Sequence, residues 1–302
     1  MSIRKVVIPV AGLGTRLYPT TKALPKEMLP VGRYPAIQHV VEELVSANLK
    51  KVLFVTSRAK SIIEDQFDDN ADVVVHLEQH GKLKDLDHTD YANRDIEFFH
   101  TRQQIPVGST KPQGTGAAIA TSESFVDNEH FIVAYGDTII DSPRTPNFIG
   151  RMIEAHLKHN ATCTVGVRNV PDALVSRYGI VKPKTGENTT SESFAIDDIV
   201  EKPSLADAPS NLAVSARYIF GPEIFGQIRA LNPSGDGELG ITDAIKGLIL
   251  AGHTVRCVSL DESEVRYDIG NHESYYKAFI DFALRDPSCA NAIKAYLKSH
   301  IE

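Results

Sequence analysis

The residues best suited to chemistry stand in a glycine-containing loop directly after a buried, strand-like run. Val6–Val10 is apolar, and the loop that follows it reads Ala11, Gly12, Leu13, Gly14, Thr15 and Arg16. Glycines at such a position let backbone N–H groups approach an anion closely. Arg16 and Lys26 add fixed positive charge. The loop therefore predicts a polyphosphate site, with an ordinary tight turn as the alternative.

Two better known phosphate loops do not fit these residues. A dinucleotide-binding fingerprint needs a third glycine at the position of Leu17. A P-loop needs two glycines separated by four residues, with Lys and then Ser or Thr directly after the second glycine, and this loop lacks that pattern. The sequence indicates a phosphate loop of a third kind.

A carboxylate follows another buried, strand-like run. Phe131–Tyr135 is apolar and leads into Gly136 and Asp137. Ligands of open α/β sheets bind at the carboxyl ends of the strands, and Mg²⁺ is typically held by one or two carboxylates plus substrate phosphates. Asp137 is therefore a candidate Mg²⁺ ligand, with a helix cap or turn as its alternative role.

Together, Ala11–Arg16 and Thr21–Val31 closely resemble the signature of the sugar-1-phosphate nucleotidyltransferases. Pro25–Pro30 resembles the bacterial glucose-1-phosphate uridylyltransferase branch in particular. Further similar patches lie at Ile37–Val41, Gly114–Ala117, Tyr178–Val181, Val200–Tyr218, Thr242–Ile245 and Asp268–Asn271. The resemblance implies an enzyme that uses Mg²⁺ to transfer a uridylyl group from UTP to glucose 1-phosphate, releasing pyrophosphate.

The resemblance also implies a role for individual residues. The catalytic residues would be Arg16, Lys26, Asp137 and Lys202. The nucleotide would contact Ala11, Gly12, Leu13, Gly14, Thr15, Glu27, Gln103 and Gly114. The sugar phosphate would contact Gly179, Glu201 and Lys202, and the metal would bind Asp137 and Asp268.

Two of these assignments have open alternatives. Gln103 and Gly114 are further apart than in the family, so Gln104 or Gln113 could contact the base instead; an amide suits the edge of uracil. Asp268 could instead be the N-cap of a helix predicted over 272–284. A cap is also the role predicted for Thr242, at a helix over 242–251.

The nucleotide and the enzyme class have alternatives as well. Gly136-Asp137 resembles the thymidylyltransferase branch, and a methyl group in a pocket discriminates by only ~1–3 kcal/mol, so dTTP stays open. A non-catalytic, sugar-nucleotide-binding regulatory protein is the second alternative. Retention of Arg16, Lys26, Asp137 and Lys202 argues against it.

The elements that must position these residues alternate between strands and helices. Apolar residues over 36–48 fall on one helical face (Ile37, Val40, Val41, Leu44 and Val45), between strands at 6–10 and 51–56. Such alternation predicts an α/β fold, Rossmann-like, with a mixed, mostly parallel central sheet flanked by helices. Strands at 178–182, 194–200 and 213–220 lack full helices between them, which predicts an antiparallel, sugar-binding portion in the second half.

We expect the 302 residues to form a single domain. Its nucleotide-binding part would span about 1–140, its sugar-binding part about 141–270 and its C-terminal helices about 271–302. A polar helix is predicted over 83–94.

Composition excludes several classes of protein. The net charge of −7 argues against a broad nucleic-acid-binding face. No apolar stretch is long enough to span a bilayer, the first residues do not resemble a secretory leader, and Cys163, Cys257 and Cys289 are scattered. We expect a cytoplasmic protein with no nucleic-acid or membrane partner. The family resemblance implies a homodimer or homotetramer.

Overall fold

The computed structural model describes residues 2–82, 91, 93–106, 108, 112–232 and 238–300. Residues 83–90 and 92, which carry most of the helix predicted over 83–94, lie outside the described residues.

The strands and helices alternate along the first half and are less regular in the second. The strands are β1 (Lys5–Pro9), β2 (Pro30–Val31), β3 (Tyr34–Pro35), β4 (Lys51–Thr56), β5 (Glu97–Arg102), β6 (Phe131–Ala134), β7 (Thr138–Asp141), β8 (Cys163–Asn169), β9 (Gly179–Pro183), β10 (Ser193–Glu201), β11 (Leu212–Phe220), β12 (Val255–Ser259) and β13 (Val265–Asp268). The helices are α1 (Ala36–Ser46), α2 (Ser61–Asp65), α3 (Ala71–Gln79), α4 (Gly114–Ala120), α5 (Glu123–Val126), α6 (Phe148–Lys158), α7 (Glu223–Ala230), α8 (Ile241–Leu250), α9 (His272–Ala283) and α10 (Ala290–Lys298).

One large mixed sheet contains strands from both halves of the chain. Its order in the described residues is β5-β4-β1-β6-β11-β8-β12-β10-β9. The pairs β5–β4, β4–β1, β1–β6 and β8–β12 are parallel, and the remaining neighbours are antiparallel. Seven of these nine described strands therefore point the same way, and β10 and β11 run against them. The predicted α/β fold, with a mostly parallel sheet and an antiparallel second half, is confirmed.

Apolar side chains bury both faces of this sheet. The predicted face of α1 packs with α6 on one side, where Ile37, Val40, Val41 and Leu44 are fully buried. Burying each of these side chains contributes about 1.5–3 kcal/mol. On the other side α4, α7 and α8 cover the sheet, and the free thiols of Cys163 and Cys257 are buried there. Helices on both faces leave the strand ends as the place for a site.

A short ribbon at the carboxyl end of β6 was not predicted. There β7 pairs antiparallel with β13, and Asp268 lies opposite Thr138. Each of the two strands has only four residues, and β7 and β13 are far apart in the chain. No local pattern reveals such a pairing, because its stability comes from contacts between distant segments.

Within the described ranges, no helix is long and apolar enough to cross a membrane.

Candidate active site

The glycine-containing loop lies at the carboxyl end of β1. Gly14 adopts a φ of 67°, in the left-handed region that favours glycine, and its carbonyl accepts a hydrogen bond from Thr21 Oγ1 at 2.9 Å. Arg16 stands in the 3₁₀ turn Thr15–Leu17, whose Leu17 is buried. Its Nη2 lies 3.0 Å from the place that a Cβ on Gly270 would occupy. The turn therefore places the Arg16 guanidinium against the loop that follows β13.

Lys26 and Asp137, two predicted catalytic residues, are in direct contact. Lys26 Nζ donates to Asp137 Oδ2 at 2.6 Å, and the two side chains are 16% and 17% exposed. Burial opposes ionisation of Asp137, but the adjacent Lys26 ammonium outweighs it and lowers the pKa of Asp137 to about 2. Burial likewise opposes the charge of Lys26, while Asp137 and Glu27 raise the pKa of Lys26. Both groups are charged at neutral pH.

Glu27, predicted to contact the nucleotide, is buried beneath the loop. Its carboxylate is 2% exposed and accepts a hydrogen bond from Lys60 Nζ at 2.8 Å. Lys60 was not singled out in the sequence, because an isolated lysine gives no signal of burial. In the structure this ion pair anchors the segment that carries Lys26, and a contact of Glu27 with nucleotide stays a prediction.

Asp137 is held at the end of β6 by close packing and by the β7–β13 ribbon. A Cβ on Gly136 would lie 2.5 Å from Val10 Cγ1 and 2.9 Å from Ile37 Cδ1, so only glycine fits there without movement. The carbonyl of Asp137 accepts from the N–H of Ile269 at 2.8 Å, which places Asp268 beside it. The structure thus brings both predicted metal ligands to one end of the ribbon.

The alternative role of Asp268 as a helix cap is wrong. Helix α9 begins after Asn271, whose Oδ1 accepts from the N–H of Ser274 at 3.0 Å. Asp268 ends β13 instead, and Arg266 Nη2 lies 3.5 Å from its Oδ2.

The donor set at this point fits a hard, oxygen-preferring cation. Asp137 and Asp268 offer carboxylate oxygens, and in the described ranges no group of three or more Asp, Glu, His or Cys could hold a metal by itself. A site with two carboxylates and open positions matches a Mg²⁺ ion that also binds substrate phosphates.

The predicted sugar-phosphate residues also lie together, at the junction of β9, β10 and α8. A Cβ on Gly179 would lie 3.3 Å from Glu201 Oε2, and Lys202 Nζ is 3.2 Å from Glu201 Oε1. Lys202 has a φ of 44°, an unusual value for a residue with a side chain and one that clusters at functional sites. The N–H of Lys202 donates to the carbonyl of Tyr178 at 3.0 Å. The backbone is therefore held in a strained turn where the charged side chain projects.

Thr242 belongs to this cluster and does not cap α8. Gly240 precedes the helix as its N-cap, without a side-chain bond, and Thr242 lies inside the first turn. Thr242 Oγ1 donates to Glu201 Oε2 at 2.8 Å. Its side chain therefore orients Glu201.

The predicted base contacts are adjacent despite their separation in the chain. Gln103 Nε2 donates to the carbonyl of Gly114 at 3.0 Å, and the N–H of Gln103 donates to Thr56 at 2.9 Å. Gln104 is exposed, whereas Gln113 accepts from the N–H of Leu239 through its backbone carbonyl. Of the three glutamines, Gln103 is the one whose side chain is bonded to Gly114.

A buried ion pair supports the ribbon from behind. Arg217, which is fully buried, donates to Glu43 Oε2 at 2.6 Å and to the carbonyl of Thr138 at 2.8 Å. Sequence reasoning missed both residues, since Glu43 stands among apolar positions of α1 and Arg217 among those of β11. Alternation of charged and apolar residues does not reveal which charges turn inward.

Comparisons with known proteins identify the family of this chain. The family model described as nucleotidyl transferase matches residues 5–284. A UTP–glucose-1-phosphate uridylyltransferase of Staphylococcus saprophyticus subsp. saprophyticus is 37% identical over 300 residues, covering 99% of each chain.

Solved structures are similar over nearly the whole chain. A UTP-bound UGPase from Acinetobacter baumannii matches with a TM-score of 0.87 and 33% identity, covering 98% of this chain and 99% of the other. A putative glucose-1-phosphate thymidylyltransferase from Bacillus anthracis matches with a TM-score of 0.68 and 25% identity, covering 94% and 96%. The structure solved with UTP is thus the more similar of these two.

Proposed function

This chain belongs to the nucleotidyl transferase family, and we propose that it transfers the uridylyl group of UTP to glucose 1-phosphate, forming UDP-glucose and pyrophosphate. The observation that carries this function is the contact of Lys26 with Asp137 beside Arg16 and the β7–β13 ribbon. Arg16 of the glycine-containing loop, Lys26 and the candidate metal carboxylates meet at the carboxyl ends of the central strands. That combination suits a nucleoside triphosphate.

The reaction is an in-line displacement at the α-phosphorus of UTP. A phosphate oxygen of glucose 1-phosphate attacks, the bond between the α-phosphorus and its bridging oxygen breaks, and pyrophosphate leaves with that electron pair. The attacking phosphate is already ionised at neutral pH, so no general base is needed. Nucleotidyl transfer of this kind is accelerated mainly by positioning and electrostatic stabilisation.

The residues of the site divide these tasks. Arg16 and Lys26 stabilise the negative charge that develops on the leaving pyrophosphate. Lys202 holds the attacking phosphate, and Gly179 and Glu201 bind the sugar. Gln103 and Gly114 recognise the base.

The proposed cofactor is Mg²⁺, held by Asp137 with Asp268. When bound, the ion neutralises phosphate charge and lowers the barrier to attack by a second anion. Lys26 pairs with Asp137, and this contact keeps the carboxylate ionised. Next to this carboxylate, the Lys26 ammonium would contact the nucleotide phosphates.

Pyrophosphate release tests the function directly. Glucose 1-phosphate and Mg²⁺ would be mixed with UTP, dTTP, ATP, CTP or GTP in separate reactions. We expect strong release with UTP, and loss of activity in EDTA that added Mg²⁺ restores. A preference for dTTP would instead assign the chain to the thymidylyltransferase branch. If folded protein released no pyrophosphate with any of these nucleotides, the proposal would be contradicted, and a non-catalytic binding protein would be the remaining alternative.

The proposal includes association of the chain into a homodimer or homotetramer, as the family resemblance implies. Analytical ultracentrifugation of the purified protein would measure it, and a monomer at micromolar concentration would contradict it.

A further inference from the structure

Two arginines from different strands lie over one tyrosine ring near the active site. The guanidinium carbon of Arg168, at the carboxyl end of β8, is 5.3 Å from the centroid of Tyr178. The guanidinium carbon of Arg266, in β13, is 5.6 Å from the same centroid. Each gains a cation–π contact, but two positive charges on one ring repel each other. An anion between them would remove that cost.

The described fold supplies no such anion to Arg168. In the described part of the chain, no carboxylate lies within ion-pair distance of Arg168, whereas Arg266 forms an ion pair with Asp268 at 3.5 Å. The Nε atoms of both arginines are buried without a hydrogen-bond partner among the described residues. Arg151 and Arg256 also leave Nε unbonded, but each forms an ion pair with a glutamate, as Arg266 does with Asp268; Arg168 has no ion pair among the described residues. Burial and the charge of Arg266 lower the pKa of Arg168. Arg168 therefore lies in a partly buried site with excess positive charge.

The position of the two arginines indicates which anion would fit. On one side they contact Tyr178, which precedes Gly179 and whose carbonyl accepts from Lys202 at 3.0 Å. On the other side Arg266 Nη2 lies 3.4 Å from Thr138 Oγ1, next to Asp137. Arg266 thus lies between the proposed sugar site and the proposed metal site, and Arg168 lies against the same tyrosine ring. In the reaction, the group between the sugar ring and the metal is the phosphate of glucose 1-phosphate.

We propose that Arg168 and Arg266 bind the phosphate of glucose 1-phosphate together with Lys202 and orient it for attack on UTP. This inference rests on the proposed function. It adds two substrate-binding residues that neither the phosphate loop nor the sugar cluster contains. The leaving pyrophosphate is the competing ligand for the same cations, and the kinetics of both reaction directions separate the two.

The test compares Arg168→Gln, Arg168→Lys and Arg266→Lys with the wild-type enzyme. Removing a charged hydrogen bond costs roughly 1.5–3 kcal/mol, so Arg168→Gln should raise the KM for glucose 1-phosphate about 10- to 100-fold. The KM for UTP should not change. In reverse, the KM for UDP-glucose should rise and that for pyrophosphate should stay constant. Arg168→Lys, which keeps the charge, should recover part of the loss.

Arg229→Gln is the matched control, because Arg229 is exposed on α7 and pairs there with Glu123. Its KM values should equal those of the wild type. A rise in the KM for pyrophosphate alone would overturn the inference in favour of the leaving group. Unchanged KM values in Arg168→Gln would overturn it outright.

Calorimetric titration with glucose 1-phosphate keeps this inference distinct from the proposed function. If the wild type shows no turnover, the proposed function fails, but binding of glucose 1-phosphate can still be compared. Weaker binding to folded Arg168→Gln and Arg266→Lys than to the wild type supports the arginine site. Equal binding, or none to any of them, rejects it.

Discussion

Arg217 and Arg266 approach Thr138 in different ways, and the contrast separates charges that stabilise the fold from charges available to substrates. Arg217 is fully buried and donates to Glu43, to the Thr138 carbonyl and to the Ala216 carbonyl. Arg266 contacts the Thr138 hydroxyl at 3.4 Å, pairs at 3.5 Å with Asp268, a proposed metal ligand, and keeps a buried Nε without a partner among the described residues. A buried charge is tolerated when it is paired and hydrogen-bonded, whereas an unbalanced one is available to an anion.

The same division extends to the rest of the molecule. Behind the ribbon, Arg217 pairs with Glu43 and Arg151 pairs with Glu264. At the amino ends of β6 and β8, His156 contacts His130 and Thr164. In front of the ribbon, Arg16, Lys202 and Arg168 surround the proposed substrate sites. We therefore expect substitutions behind the ribbon to lower stability and substitutions in front of it to lower activity.

The largest effect is expected from Arg217→Met. It leaves the Glu43 carboxylate buried without a partner, which should lower the free energy of unfolding by about 3–5 kcal/mol. Urea denaturation would measure the change. Glu43→Met/Arg217→Met should lose less than the single variant, because no buried charge remains. A double variant less stable than Arg217→Met would contradict this account of the pair.

Lys26→Ala tests the other side of the ribbon. Removing a cation that stabilises transition-state charge should lower kcat by about 10²–10³-fold. Stability should also fall, because Asp137 loses its ion-pair partner, but by less than in Arg217→Met, because Asp137 keeps some contact with solvent. Pyrophosphate release and thermal unfolding would be measured together. Lys158→Ala, at an exposed position of α6, is the control and should have normal kcat. A kcat for Lys26→Ala close to that of the control would remove Lys26 from the catalytic residues.

Gly136→Ala should affect both regions, because Gly136 packs against the core and precedes Asp137. The added methyl would overlap Val10 and Ile37, and such overpacking typically costs about 1–3 kcal/mol. We also expect a lower kcat, since the strand end that carries Asp137 must move. Gly226→Ala in α7, where a Cβ meets nothing within 4 Å, should be neutral or slightly stabilising. Normal stability and kcat in Gly136→Ala would show that the strand end tolerates the shift.

The smallest effect concerns pH and His156. Burial, followed by the neighbouring His130, lowers the pKa of His156 to about 3, and the two rings are joined by a 2.7 Å contact between His130 Nδ1 and His156 Nε2. Below pH ~6.5, His156 is protonated in the unfolded chain but stays neutral in the folded protein. The free energy of unfolding therefore falls as pH falls. From pH 7.5 to 5.5 this single group should remove about 1.4 kcal/mol from the free energy of unfolding.

Urea unfolding of the wild type and of His156→Gln at both pH values would isolate this contribution. The wild type should lose about 1.4 kcal/mol more than the variant on acidification, because glutamine does not titrate. Equal losses would show that His156 can be protonated within the folded protein.

Sequence alone determined the strongly patterned parts of this protein. The apolar runs of β1, β4 and β6 and the helical face of α1 are continuous in the chain, so their periodicity is visible without the fold. The loop of Ala11–Arg16 with Lys26 was recognisable for the same reason, since its glycines and cations are close in sequence.

Only the tertiary structure decided which distant groups meet. The pairing of β7 with β13 places Asp268 beside Asp137, and it also decides that Asn271, not Asp268, caps α9. Whether a charged side chain is paired inside, as in Glu43–Arg217, or left unbalanced, as at Arg168, depends on neighbours from remote strands. Residue type gives a side chain its charge, but the surrounding fold determines whether that charge is neutralised or available to a substrate.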